Sequence, residues 1–137
     1  MTESVPSSRP RVIVVEDNSL VAKFFQMALE RAGGFSVFIS EDVPEIIAEV
    51  EACRADAVLL DVSLTNSVWD GQPINGIELC RLLKSRSPRP LPVMLVTAHA
   101  MSGDRERFIE ASGADGYLEK PVYDSADLVA KVRELLR

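Results

Sequence analysis

The chain has 137 residues, 47% apolar and 26% charged, with a formal net charge of -6. That length suits one domain with a real core, and no apolar stretch approaches the roughly 20 residues that a membrane-spanning helix needs. The acidic balance, without a basic stripe or interleaved aromatics, argues against a direct nucleic-acid partner, while the lack of a spanning stretch and of an N-terminal secretion signal argues against membrane insertion and makes the cytoplasm the default location.

Residues 1–10 are Ser/Pro-rich, lack the apolar core of a secretion signal and are expected to be disordered, leaving 11–137 as the domain. The apolar run 12–15 predicts a first strand, and the acidic pair Glu16-Asp17 ends it. A helix follows, with Leu20, Val21, Phe24, Phe25, Ala28 and Leu29 on its apolar face and Gly33-Gly34 where a C-terminal cap belongs. Residues 35–39 predict a second strand. Asp42 and Glu45 have capping-box spacing before a helix that faces inward through Val43, Ile46, Ile47 and Val50.

The run 57–60 predicts a third strand, ended by Asp61. Residues 62–75 form the longest connection and carry the sole tryptophan, Trp69, followed by the tight-turn dipeptide Asp70-Gly71. Ile77, Leu79, Cys80, Leu82 and Leu83 mark the third helix. A fourth strand over 93–96 ends at Thr97. Met101, Phe108 and Ile109 belong to a less apolar helix closed by Gly113. A fifth strand over 116–118 leads to Lys120-Pro121, and Leu128, Val129, Val132, Leu135 and Leu136 line the last helix. Cys53 and Cys80 fall within helical patterns without metal spacing, and are expected to be small buried or half-buried thiols.

Strand–helix alternation of this kind implies an α/β fold with a parallel sheet and helices on both faces. Such sheets bind ligands at the C-terminal ends of their strands, where Glu16, Asp17, Asp61, Thr97 and Lys120 all fall. Alone, Asp61 reads either as a buried structural acid or as a nucleophile. Three clustered carboxylates repel one another unless a cation intervenes. Mg²⁺ suits that role, because it prefers oxygen ligands and often joins one or two carboxylates to a phosphate. Lys120 supplies a mobile positive charge, and a cis bond to Pro121 would aim it inward. Thr97 offers a hydroxyl beside the small Ala98.

The segments Val14-Val15-Glu16-Asp17-Asn18, Leu59-Leu60-Asp61, Val96-Thr97-Ala98 and Gly116-Tyr117-Leu118-Glu119-Lys120-Pro121 together resemble the receiver domain of two-component response regulators. The resemblance covers about residues 11–137. Thr97-Ala98-His99-Ala100-Met101 with Gly103-Asp104 is similar to stand-alone single-domain regulators and to receivers of hybrid histidine kinases.

The resemblance implies a flavodoxin-like, doubly wound (βα)5 sandwich with sheet order 2-1-3-4-5. It implies that Asp61 takes a phosphoryl group from the phosphohistidine of a histidine kinase or histidine phosphotransfer protein. Mg²⁺ would be held by Asp17, Asp61 and the main-chain carbonyl of Ser63, with Glu16 acting through water. Lys120 and Thr97 would contact phosphoryl oxygens. Thr97 and Tyr117 would form a switch that remodels the face of the last two helices for a downstream protein target. No other cofactor is implied.

The chain is thus expected to be a single-domain response regulator without an attached output domain, a phospho-accepting signalling domain rather than an enzyme. It would assist its own phosphorylation and dephosphorylation, as a monomer or a phosphorylation-dependent dimer. Ser63 and His99 occupy positions that border the attacking-water path in the family. The pattern departs in the loop after the third strand: Gly76, which opens the third helix, comes later after Asp61 than in the family, which indicates an insertion within residues 65–75. Thr65 stands where a proline is common. Trp69 in that insertion is either an aromatic anchor for a partner or the cover of a nearby apolar patch.

Four other readings compete. They are an intermediate carrier in a phosphorelay, a phosphorylation-independent interaction module, an aspartate-nucleophile phosphohydrolase and a flavin carrier. Asp61-Val62-Ser63 lacks the second aspartate of the phosphohydrolase, and Glu16-Asp17 would repel a flavin phosphate.

Overall fold

The computed structural model describes residues 9–98, 101–122 and 124–137. Its elements in chain order are β1 (Arg11–Val15), α1 (Ser19–Met27), a π-helical turn (Ala28–Ala32), β2 (Ser36–Ile39), α2 (Val43–Glu51), β3 (Ala57–Asp61), β4 (Val68–Trp69), β5 (Gln72–Pro73), α3 (Gly76–Arg86), β6 (Val93–Thr97), α4 (Asp104–Ser112), β7 (Gly116–Glu119) and α5 (Ser125–Leu135). The main sheet has five strands in the order β2-β1-β3-β6-β7, every pair parallel. With the small β4–β5 hairpin set aside, this is the expected 2-1-3-4-5 order.

Strand alternation divides the core. Ile13, Val15, Val58, Leu60, Val93 and Leu95 face α2 and α3, packing on Val43, Ile46, Ile47, Val50, Leu79 and Leu83. Val12, Val14, Leu59, Met94, Val96 and Leu118 point the other way, against Phe25, Leu29, Leu128, Val129 and Val132 of α1, the π turn and α5. β3 and β6 are buried at every position, as strands covered on both faces must be. Each aliphatic side chain so buried contributes about 1.5–3 kcal/mol.

Several local expectations are corrected. Leu20 lies off the buried stripe of α1 and is 79% exposed. Asn18 caps that helix, accepting from the amides of Leu20 and Val21. The Asp42–Glu45 capping box does not form: Ser40 Oγ donates to Glu45 Oε1 at 2.6 Å and accepts from Asp42 N at 3.0 Å, so it takes the acid away. A complete box forms instead at Asn75 and Glu78, opening α3. Met101 is exposed and precedes α4, its amide donating to the buried Asp104 carboxylate, which also pairs with Arg107. Cys53 is exposed and sits beyond α2 with φ of 59°, whereas Cys80 is buried. The segment expected to be disordered falls mostly on residues outside the described ones. Pro10 is described, and its carbonyl accepts from Ser36 N at 2.9 Å.

The connection after β3 is a pinned hairpin rather than an open loop. Val68 pairs with Pro73 and Trp69 with Gln72. Asp70 and Gly71 both take positive φ, 54° and 77°, the geometry of a two-residue type I′ turn. Ile74 N donates to Ser67 O and Gly76 N to Val62 O, both at 3.0 Å. Gly76 permits a close approach to the end of β3, because a Cβ there would lie 2.7 Å from Val62 Cα and nearer still to the Asp61 carbonyl oxygen.

Candidate functional site

The strand register sets the site. Val15 pairs with Leu60, Asp61 with Val96 and Thr97 with Glu119, so the residues ending β1, β3, β6 and β7 arrive at one edge. Glu16, Asp17 and Asp61 each bring a carboxylate oxygen to within 4.8 Å of the others. Glu16 is 3% and Asp61 5% exposed, while Asp17 is half-buried. Lys120 reaches between two of them, with Nζ 2.8 Å from Glu16 Oε1 and 3.3 Å from Asp61 Oδ2. The Lys120–Pro121 peptide is cis.

Backbone amides hold the remaining oxygens. Asn18 N donates to Glu16 Oε2 at 3.1 Å, and Ser63 N donates to Asp61 Oδ1 at 3.0 Å. Thr97 is buried at the same edge, and its carbonyl accepts from Lys120 N at 2.8 Å. An apolar concavity of about 410 Å³ opens beside Lys120, between α1 and the residues after β7, lined among others by Leu20, Phe24, Ala98 and Pro121.

The electrostatics favour a further positive charge. Burial raises the Glu16 carboxyl to about 7, with Asp61 adding to the shift and Lys120 and Asn18 opposing it. The Thr65 hydroxyl holds Asp17 below the usual carboxylate range. Burial disfavours the Lys120 ammonium, but Glu16 and Asp61 outweigh it and raise its pKa. Three carboxylates against one ammonium leave an excess of negative charge in a largely desolvated place, which is costly without a further cation. The all-oxygen donor set fits Mg²⁺ rather than a thiolate- or imidazole-seeking metal.

The structure therefore brings Glu16, Asp17, Asp61, Thr97 and Lys120 to one edge and adds the Ser63 amide. Tyr117 stands further back on β7, its ring centroid 6.4 Å from that of Phe108. Its hydroxyl is buried with no hydrogen-bond partner among the described residues, and burial raises its pKa. Trp69 is half-buried against the α2–α3 core, with the Arg86 guanidinium carbon 5.6 Å from its ring centroid. His99 lies outside the described residues.

One contact has no counterpart among the sequence expectations: Thr65 Oγ1 donates to Asp17 Oδ2 at 2.7 Å. The available signal was a hydroxyl where the family commonly has proline.

Residues 12–133 match the family profile "Response regulator receiver domain", and the chain belongs to that family. It is 37% identical over 131 residues to the transcriptional regulatory protein CseB of Streptomyces coelicolor, covering 96% of this chain and 51% of that protein. It is 35% identical over 129 residues to the DNA-binding response regulator MtrA of Mycobacterium tuberculosis, covering 94% and 51%. The chain thus spans about half the length of these relatives.

Among solved structures, it is similar to a CheY-like receiver domain protein from Methanospirillum hungatei, with TM-score 0.75, 26% identity and coverage of 93% and 94%. The receiver domain of sensor histidine kinase PA1611 from Pseudomonas aeruginosa, solved with magnesium coordinated in its active-site cleft, gives TM-score 0.75 at 26% identity, covering 93% and 98%.

These relatives correct one expectation. The acidic charge argued against a nucleic-acid partner, yet the chain matches about half of a protein named as a DNA-binding response regulator. The net charge of a receiver does not determine what a longer protein that contains one binds. Among the described residues, no helix is long and apolar enough to cross a membrane.

Proposed function

We propose that Asp61 accepts a phosphoryl group from the phosphohistidine of a partner protein, and that the aspartyl phosphate controls protein contacts. The observation that carries this reading is Lys120 reaching both Glu16 and Asp61 inside the buried acidic cluster. A carboxylate oxygen of Asp61 forms the new P–O bond as the P–N bond to the donor imidazole breaks, and the imidazole leaves with a proton. Lys120 neutralises a phosphoryl oxygen, and the Thr97 hydroxyl hydrogen-bonds another. Ser63 N keeps the Asp61 carboxylate oriented. Asp17, Asp61 and Glu16, with the Ser63 carbonyl, would hold Mg²⁺, which when bound supplies positive charge to the transferring group. Positioning and charge stabilisation do most of the work in such transfers.

The Tyr117 hydroxyl supports a switch. That hydroxyl is buried and has no hydrogen-bond partner among the described residues, and a ring in such a place can turn to a new one at little loss of hydrogen bonding. When Thr97 turns toward a phosphoryl group, Tyr117 gains room to find a new place, and the surface of α4, β7 and α5 changes with it. Phosphorylation then shifts a balance between two states.

A second reading, favoured by the length of the relatives, has the domain govern an attached output module rather than act alone. The test of phosphorylation is intact mass after treatment with acetyl phosphate and Mg²⁺, followed by a phosphohistidine donor. Wild type should gain one phosphoryl group, Asp61→Asn none, and chelation should abolish the gain. No gain from either donor would sink the proposal.

A further inference from the structure

The loop after β3 reaches into the acidic cluster through one side chain. Thr65 Oγ1 donates to Asp17 Oδ2 at 2.7 Å across 48 positions of sequence. Asp17 is the cluster's least buried carboxylate, so it has the greatest freedom to turn into water. Ser63 N, two residues before Thr65, is fastened to Asp61. Ser67, two residues after it, is buried and bonded through its carbonyl to Ile74 N. The hydroxyl is therefore delivered by a segment held on both sides, and the hydrogen bond does not depend on a freely moving loop.

We infer that Thr65 is a positioning residue for metal binding, holding the Asp17 carboxylate turned toward Glu16 and Asp61. This rests on the reading of the cluster as a Mg²⁺ site. The bond engages Oδ2 and leaves Oδ1 and further lone pairs for a cation. A hydrogen bond to a ligating carboxylate has two opposed effects: it withdraws charge from the ligand and it fixes the ligand's direction. For carboxylates that ligate metals, outer hydrogen bonds of this kind support binding, and losing one costs about 10–100-fold in metal affinity. The start of the loop after β3 is in this way part of the metal site rather than an ornament on its rim.

The test is a titration of the full chain with MgCl₂, followed by the amide resonances of Asp17, Asp61 and Ser63, for wild type, Thr65→Val and Thr65→Ser. Wild type should bind. The valine variant should bind about tenfold more weakly or worse, and the serine variant, which keeps the hydroxyl, should stay near wild type. Affinity of the valine variant within about threefold of wild type, or tighter, overturns the inference while leaving the Mg²⁺ site intact. Loss of binding in the serine variant as well overturns it too, since the hydroxyl is then not the operative group. A metal-free valine spectrum disturbed throughout the fold would make Thr65 a structural residue instead. Failure of wild type to respond at all would refute the site reading, and the inference with it.

Discussion

Gly76→Ala would test whether the opening of α3 fixes the phospho-acceptor. A Cβ at this position would lie 2.7 Å from Val62 Cα and 2.8 Å from the Asp61 carbonyl carbon. Comfortable carbon–carbon contacts are about 3.5–4.0 Å, so these overlaps approach an ångström and that with the nearer Asp61 carbonyl oxygen exceeds it, and the obstructing atoms are backbone that cannot swing aside. Overpacking of this kind costs about 1–3 kcal/mol, occasionally more. The better helix propensity of alanine returns less than about 1 kcal/mol at a first-turn position. A net loss of about 2 kcal/mol corresponds to about 6–10 °C in Tm for a domain of this size.

The shift must fall on the peptide after Asp61, the amide of which is hydrogen-bonded to Val96 O at 2.9 Å. Misplacement of a reacting group by about an ångström can cost about 100-fold in rate. Urea and thermal unfolding measure the first quantity, and phosphorylation by acetyl phosphate under Mg²⁺ saturation measures the second. Gly71→Ala is the control: it strains a residue at φ of 77° but meets nothing within 4 Å, so it should cost stability without slowing phosphorylation. A Gly76→Ala protein with wild-type Tm and rate would show that the close approach is not a real constraint.

Further outcomes follow from the same geometry. Asn75→Ala removes the side-chain half of the α3 capping box, the bond from Glu78 N to Asn75 Oδ1, and leaves the backbone half from residue 75 to Glu78; it should cost about 1 kcal/mol in urea unfolding. Lys120→Met leaves Glu16 and Asp61 without their cation and should destabilise the metal-free protein by about 3–5 kcal/mol, with Mg²⁺ recovering part of the loss in thermal melts. Burial raises Glu16 from 4.5 to about 7, so the folded state binds this proton more tightly than the unfolded state. Its contribution is full below pH 4.5 and is lost as pH rises through about 7; Glu16→Gln should flatten that slope in metal-free melts across this window. Burial also pushes Cys80 up to about 11, so a thiol reagent should modify Cys53 in the native protein and Cys80 only after unfolding.

The main strands were legible because parallel strands covered on both faces must be almost uniformly apolar, as β3 and β6 are. The site was legible for a related reason: Glu16, Asp17, Asp61, Thr97 and Lys120 each interrupt or follow such a run, so one topology aligns them. What escaped depended on contacts between distant segments. Thr65 and Asp17 are far apart in sequence and share no periodic pattern. Ser40 outcompeted Asp42 for Glu45 through a hydroxyl placed by the end of β2. The β4–β5 strands are two residues each, too short to show alternation, and only Asp70-Gly71 betrayed their turn. Leu20 is apolar but lies off the buried stripe of α1, and Met101 stands before α4 begins, where an apolar residue says nothing about burial.

Trp69 is the only indole in the chain, and the fold has put it on the hairpin that Thr65 ties to Asp17. Excited where tyrosine does not absorb, the protein therefore emits from one address, on the segment that follows Asp61, with the Arg86 guanidinium carbon 5.6 Å from the ring centroid. Light collected from this protein is a local gauge rather than an average over scattered fluorophores. A change in its colour or brightness would report tension at the mouth of the site, in real time and without a label.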